Sequence, residues 1–288
     1  MTASSPLNIG SARRVSIPRG HDTPGRHLPD LAALQAGDPE APPILLIPGF
    51  TGSKEDFGPV LDPLAEAGFF ATTIDLPGQY ESPGLGAADE YTSDALGSIV
   101  GELCATLGPE VHLVGHSFGG LVSRAAVIAA PSRVSSLVLL SSGPAALGGL
   151  RRLTIEQLQP VLAGSGLPGV YAAMQAAAMS GPGFVAPPPE LADFLQRRFL
   201  GGSPDMLQGM GDALRHEPDR VAELAATEVP VLVIHGVDDD AWQPATQLEM
   251  ATQLGAKYVV VPGAAHSAAV ENSSAVVHAL LDFWRSTG

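Results

Sequence analysis

Six short runs of consecutive apolar residues, separated by helical periods, restrict this chain to few folds. Ile44-Leu45-Leu46-Ile47 lies between Pro42-Pro43 and Pro48-Gly49. Similar runs follow at Phe69 to Ile74, Val111 to Val114, Val134 to Leu140, Val229 to Ile234 and Tyr258 to Val261. Consecutive rather than alternating apolar residues are what a strand covered on both faces requires. Between the runs, Leu96, Ile99, Val100, Leu103 and Leu107 recur every three to four residues, as do Leu121, Val122, Ala125, Ala126 and Ile128 up to Pro131. Val276, Val277, Leu280, Leu281 and Trp284 repeat the period at the end of the chain, behind Asn272 or Ser273 as cap. Strands alternating with helices predict an α/β architecture, a mostly parallel, doubly wound sheet. Leu28 to Leu34 reads as an additional edge strand.

One stretch breaks this rhythm. Residues 144–227 show no strand pattern, only helical patches cut by Gly-Pro pairs and by Pro187-Pro188-Pro189. The expected organisation is therefore a flexible arm over 1–26, an α/β core over 27–143 and 228–288, and a helical lid over 144–227. The lid lies between the runs at Val134 to Leu140 and Val229 to Ile234, strands six and seven if two edge strands precede the first run. It is rich in Met and aromatic residues, among them Met174, Met179, Phe184, Met206 and Met210. Such side chains either fill the insert's own core or line an adaptable apolar pocket beneath it. Trp242 joins the pocket candidates.

Charge and cysteine content narrow the class of partner. Thirty acids against 15 bases leave a net charge of −15. Such a surface repels phosphate backbones and anionic lipid, which argues against nucleic-acid binding and membrane docking. The single cysteine, Cys104, has no internal disulfide partner, in keeping with a reducing compartment. No apolar run reaches the roughly 20 residues of a membrane span, and the first thirty residues hold no apolar signal-peptide core. The expectation is a soluble cytoplasmic protein acting on a small molecule.

The chemistry concentrates at Gly115-His116-Ser117-Phe118-Gly119-Gly120. This G-x-S-x-G stretch follows a predicted strand and opens a predicted helix, the context of a nucleophile elbow. A sharp strand-to-helix turn holds the serine in a strained conformation and needs small neighbours two residues away on each side. Its hydroxyl then stands above the sheet, beside a helix N-terminus that favours a developing oxyanion.

From about Leu28 onward the sequence resembles the α/β-hydrolase superfamily. That resemblance implies a Ser-Asp-His order, with the acid after the seventh strand and the histidine after the eighth. The loop His235-Gly236-Val237-Asp238-Asp239-Asp240-Ala241-Trp242-Gln243-Pro244 is similar to the family's H-G-x-x-D-x-x-x-P turn. Counting from Gly236 selects Asp239, and counting back from Pro244 selects Asp240. Asp239 is favoured, because the glycine ends the strand and sets where the loop begins; Asp240 stays as the alternative. His266, in Pro262-Gly263-Ala264-Ala265-His266-Ser267, is the implied base; of the other seven histidines, His112 lies in a strand, His116 adjoins the serine, His235 precedes the acid loop, His278 falls in the last helix, His216 in the insert, and His21 and His27 in or next to the arm. The implied oxyanion donors are the backbone N–H groups of Phe118 and Phe50. The latter sits in Pro48-Gly49-Phe50, where proline replaces the family's usual histidine. Asp75-Leu76-Pro77-Gly78 resembles the family's D-x-P-G turn and reads as structural.

No cofactor or metal is implied. Gly49-Phe50-Thr51-Gly52-Ser53-Lys54 lacks the spacing of a phosphate loop, and His112 and His116 lack the helix and glutamate of a zinc-protease site. The aspartate triplet lacks the alternation of a calcium loop. The expected activity is that of a serine hydrolase acting on carboxylic ester-like bonds of apolar or moderately sized substrates. Thioesterase, lactonase, C–C hydrolase and cofactor-free haloperoxidase are alternatives, and a non-catalytic ligand-binding protein is a remote one.

Overall fold

The computed structural model describes residues 5, 7–18, 30–181 and 184–287. Eight strands form a single sheet: β1 (Arg13–Ile17), β2 (Leu31–Ala36), β3 (Pro43–Ile47), β4 (Phe70–Ile74), β5 (Val111–His116), β6 (Val134–Leu140), β7 (Val231–Gly236) and β8 (Lys257–Val261). Their spatial order is β1-β2-β4-β3-β5-β6-β7-β8. β1 and β2 pair antiparallel with their neighbours, and the six strands from β4 to β8 run parallel. This is the mostly parallel, doubly wound α/β-hydrolase sheet.

Period-two alternation explains how consecutive apolar residues serve both faces. Leu45 and Ile47 of β3 join one core with Leu96, Val100, Leu121 and Val122. Ile44 and Leu46 join the opposite core with Val60, Leu61, Val277 and Leu280. The first face is covered chiefly by α2 (Ser93–Leu107) and α3 (Phe118–Ala129), the second by α1 (Gly58–Glu66) and the C-terminal helix.

Between β6 and β7 the described residues form only helices: α4 (Gly149–Ser180), α5 (Pro189–Leu200), α6 (Pro204–His216) and the short α7 (Val221–Ala225). α4 breaks at Gly166, whose φ of 61° leaves the helical region just ahead of Pro168. It buries only Leu167 and Val170, while Leu150 and Met179 stand 82% and 66% exposed. After β7 come α8 (Pro244–Leu254), then, beyond β8, α9 (Ala268–Glu271) and α10 (Ser273–Thr287). None of the helices among the described residues is long and apolar enough to cross a membrane.

Two details near the start depart from the sequence reading. Arg13–Ile17, within the segment read as an arm, is an edge strand, with Val15 opposite Ala33 and Ile17 opposite Leu31. Only Ile17 of this strand is fully buried, so an edge position left too weak a periodic signal to recognise. The neighbouring strand runs from Leu31 to Ala36, shifted from the expected 28–34; residues 28 and 29 lie outside the described residues.

Candidate active site

Ser117 is the single residue between β5 and α3, with φ 54° and ψ −119°. A non-glycine residue at positive φ stores strain that only tight surroundings maintain. Here the glycines of the motif supply the closeness. A Cβ on Gly115 would lie 2.4 Å from the Gly119 carbonyl oxygen, and one on Gly119 would lie 2.3 Å from that of Ile47. The turn is held by Ser117 N–H donating to the Leu140 carbonyl (2.9 Å) and by Ser142 Oγ donating to the Ser117 carbonyl (2.8 Å).

His266 follows β8, and its side chain reaches back across the ends of β7 and β5. Its Nε2 lies 3.0 Å from Ser117 Oγ, and its Nδ1 lies 2.9 Å from Asp239 Oδ1. A carboxylate only accepts, so Nδ1 carries the proton and Nε2 is left to accept from the serine hydroxyl. Asp239 is buried, and burial alone would raise its pKa. The hydrogen bond and charge of His266, with donors at Ala241 N–H (3.0 Å) and Gln247 Nε2 (3.0 Å), hold it below the ordinary aspartate value instead. Asp240 turns away. Its Oδ1 pairs with Arg151 Nη2 on α4 at 2.6 Å, and the carboxylate side chain is 65% exposed. Ser117, His266 and Asp239 therefore form one hydrogen-bonded chain, which Asp240 does not enter.

His116, next to the serine, has a supporting position. Its Nε2 donates to the His266 carbonyl at 2.8 Å, and the two rings lie 4.9 Å apart. Burial, reinforced by the neighbouring His266, pushes the His116 pKa down to about 4. It therefore stays neutral at ordinary pH and adds no charge beside the other imidazole.

The loop after β3 carries Phe50 to the same place. A Cβ on Gly49 would stand 3.0 Å from Ser117 Cβ and 3.1 Å from His116 Nδ1, so any larger residue would have to push these side chains back. Phe118 is the first residue of α3, where an N–H has no acceptor within the helix. Beneath the loop, Lys54 is almost wholly buried. Its Nζ sits 2.7 Å from Asp75 Oδ2 and 2.6 Å from Glu81 Oε2, while its backbone N–H donates to Asp75 Oδ1 at 2.7 Å. The D-x-P-G turn is thus tied to the loop by a buried ion pair.

A cavity of about 460 Å³ opens over Ser117 and His266. Its walls combine Phe50, Ile155, Leu158, Leu162, Val170 and Met174 with polar groups from Arg151, Arg198, Asp56, Gln159 and Gln208. Of the pocket residues expected from sequence, Met174 lines it. Met206 and Met210 are buried in the same core cluster as Leu96 and Leu121, and Met179 and Phe184 stand exposed at 66% and 41%. Trp242 is also buried, packed on Gly143 with its indole N–H donating to the Ala145 carbonyl at 3.0 Å. The sequence reading missed Gln247, Asp56 and Arg198. Arg198 Nη1 pairs with Asp56 Oδ1 at 2.5 Å across a separation of 142 residues, and no local pattern announces it. Among the described residues, no group of three or more His, Cys, Asp or Glu side chains is placed to hold a metal ion.

A mostly parallel sheet whose central strand is followed by a serine at positive φ, under a helical insert between β6 and β7, defines the class of fold and site. Residues 44–279 match the alpha/beta hydrolase family, and the chain belongs to that family. It is 37% identical over 106 residues to RutD of Variovorax paradoxus, provisionally named a carbamate hydrolase. That match covers 37% of this chain and 40% of RutD. It is 32% identical over 126 residues to the Escherichia coli 2-hydroxy-6-oxononadienedioate/2-hydroxy-6-oxononatrienedioate hydrolase, covering 40% and 42% of the two chains. The matched segments span about two fifths of these curated relatives. A carboxylesterase structure from Nitrososphaera gargenis superposes with a TM-score of 0.79 at 20% identity, over 93% of this chain and 98% of that one.

Proposed function

We propose that the protein is a serine hydrolase that cleaves a carboxylic ester-like bond of an apolar or moderately sized substrate through an acyl-enzyme. The observation that carries this reading is the chain from Ser117 Oγ through His266 to Asp239, with links of 3.0 and 2.9 Å. Ser117 Oγ attacks the substrate carbonyl carbon as its proton passes to His266 Nε2. The carbonyl π pair moves onto oxygen, where the Phe50 and Phe118 N–H groups receive it. Asp239 holds the tautomer and stabilises the imidazolium. The pair then returns, the bond to the leaving alcohol oxygen breaks, and that oxygen takes the proton from His266. Water repeats the sequence: it gives a proton to His266, adds to the acyl carbon, and expels Ser117 Oγ, which recovers the proton.

The apolar wall formed by Ile155, Leu158, Leu162, Val170 and Met174 supports an apolar acyl or alcohol group. A second reading keeps the chemistry and changes the substrate. Arg151 and Arg198 face the same cavity, so an acyl chain with a polar or anionic end also finds partners. The test has two stages. A fluorophosphonate probe should label the wild type and not Ser117→Ala; equal labelling of the two would sink the serine-hydrolase reading. p-Nitrophenyl esters from acetate to palmitate, beside a hemisuccinate, a thioester and a lactone, then separate substrate classes. Short and medium apolar esters should lead, and a preference for the hemisuccinate would favour the second reading.

A further inference from the structure

We propose that Gln79 is a positioning residue for the oxyanion site: its side-chain amide fixes the peptide between Gly49 and Phe50 so that the Phe50 N–H faces the reacting carbonyl. The inference rests on the serine-hydrolase reading and extends it to a residue outside the cavity. Gln79 is 1% exposed and lies in the turn after β4, where Gln79 N–H donates to the Leu76 carbonyl at 2.9 Å. Pro77 and Gly78, the latter at φ 78°, occupy the central positions of that turn, a type II arrangement. Both ends of the buried amide are used. Oε1 accepts the Leu76 N–H at 2.9 Å, and Nε2 donates to the Gly49 carbonyl at 2.7 Å.

The consequence follows from peptide geometry. The peptide joining Gly49 to Phe50 is trans, so its carbonyl and its N–H point to opposite sides. The Gly49 carbonyl accepts a second hydrogen bond from Gly52 N–H at 3.0 Å, which fills both of its lone pairs. With the oxygen pinned by two donors, the N–H on the far side of the same plane cannot rotate without breaking a buried hydrogen bond. Gly49, Phe50 and Ser117 line one cavity, and the proposed geometry places the substrate carbonyl on that far side of the peptide. Donation to the carbonyl also polarises the amide and strengthens the Phe50 N–H as a donor. The contact spans 30 residues and joins the turn after β4 to the loop after β3. The Lys54–Asp75 pair joins the same two segments at a second point. The ion pair fixes how closely they dock, and Gln79 fixes which way one peptide faces.

The test compares wild type with Gln79→Met, which loses both polar ends, and, at a pH high enough to ionise it, with Gln79→Glu, which keeps the shape and as a carboxylate only accepts. Three readouts are taken on folded protein: kcat and KM for p-nitrophenyl butyrate, the rate constant for fluorophosphonate inactivation, and the Ki of a trifluoromethyl ketone. Loss of an oxyanion donor outright costs about 10²–10³ in kcat, so misdirecting one should cost roughly ten- to a hundredfold in both variants. The inactivation rate should fall and the ketone Ki rise by a similar factor, with KM within about twofold. A merely structural role would move KM with kcat, or lower the yield of active protein without changing the ketone Ki. Either result, or a kcat within twofold of wild type in the Glu variant, overturns the proposal. Should Gln79→Met fail to fold, Gln79→Glu decides alone, and failure of both to fold would show Gln79 to be structural and overturn it too. A wild type that no fluorophosphonate labels would remove the underlying serine-hydrolase reading instead, and this proposal with it.

Discussion

Arg151 on α4 grips Asp240 at 2.6 Å, while the adjacent Asp239 turns inward to His266 at 2.9 Å. Neighbouring aspartates of one loop thus serve different elements, one the helical insert and the other the imidazole over Ser117. Replacing Asp239 with Asn should lower kcat about 10³–10⁴-fold, because an amide can donate to Nδ1 and stabilise the wrong tautomer. Asp240→Asn should change kcat by less than about fivefold. Steady-state kinetics on one ester decide the matter, and the reverse order would move the acid by one residue.

Gln247 is fully buried and donates both to Asp239 Oδ2 at 3.0 Å and to the Trp242 carbonyl at 2.8 Å. Gln247→Leu leaves two buried acceptors with one donor fewer each, at a cost of about 1–3 kcal/mol per unsatisfied group. The carboxylate keeps its bond to Ala241 N–H but loses an anchor. Urea denaturation should show the stability loss, and kcat should fall roughly tenfold with KM little changed. Unchanged kcat in the folded variant would leave Gln247 a packing residue alone.

Glu217 closes the insert onto the core. Its Oε1 meets Arg124 Nη2 at 2.7 Å, and both side chains are almost wholly buried. Its Oε2 accepts from Ser93 Oγ on α2. Removing one partner of a buried pair leaves an uncompensated charge, typically worth about 3–5 kcal/mol. Glu217→Ala should therefore lower stability by that order. The double variant Arg124→Met/Glu217→Leu should recover part of the loss, as chemical denaturation would show.

His112, on β5 beneath the elbow, stacks on Trp284 at 4.9 Å and has Nδ1 2.8 Å from Ser136 Oγ. Burial pushes its pKa down to about 4, and that of His116 likewise. A histidine depressed in the folded state binds fewer protons there than in the unfolded chain, whose pKa is about 6.5. Its stabilising contribution is complete above about 6.5 and is lost as pH falls toward 4. Asp75, pushed up to about 6 by burial against the pull of Lys54, acts with the opposite sign, its contribution falling as pH rises from about 4 to 6. The difference between variant and wild type isolates one group: His112→Gln should flatten the slope of stability against pH in this window by up to about 1.4 kcal/mol per pH unit. Parallel slopes would show that His112 titrates normally.

What was legible in the sequence was local. The elbow could be read because strand, turn and helix lie within a few residues, and each glycine answers to an atom close in the chain or on an adjacent strand. The parallel strands could be read because coverage on both faces makes them continuously apolar, and the insert because that pattern stops. β1 could not be read, since an edge strand with one fully buried side chain has no period to show. Met206 and Met210 read either as the insert's own core or as pocket wall, and they are buried in the cluster that holds the sheet's residues; composition says that a side chain leaves water, not which neighbours receive it.

The sequence by itself determined the alternation of strands and helices, the serine at a strained turn and the histidine after the last strand. All of these follow from short-range sterics and hydrophobic period. Which of Asp239 and Asp240 hydrogen-bonds to His266, the pairing of Arg198 with Asp56, and the reach of Gln79 to Gly49 were decided only by the tertiary structure. Each depends on where two loops at the ends of different strands come to rest. Hydrogen-bond direction there is set by packing across tens of residues, and no spacing along the chain encodes it.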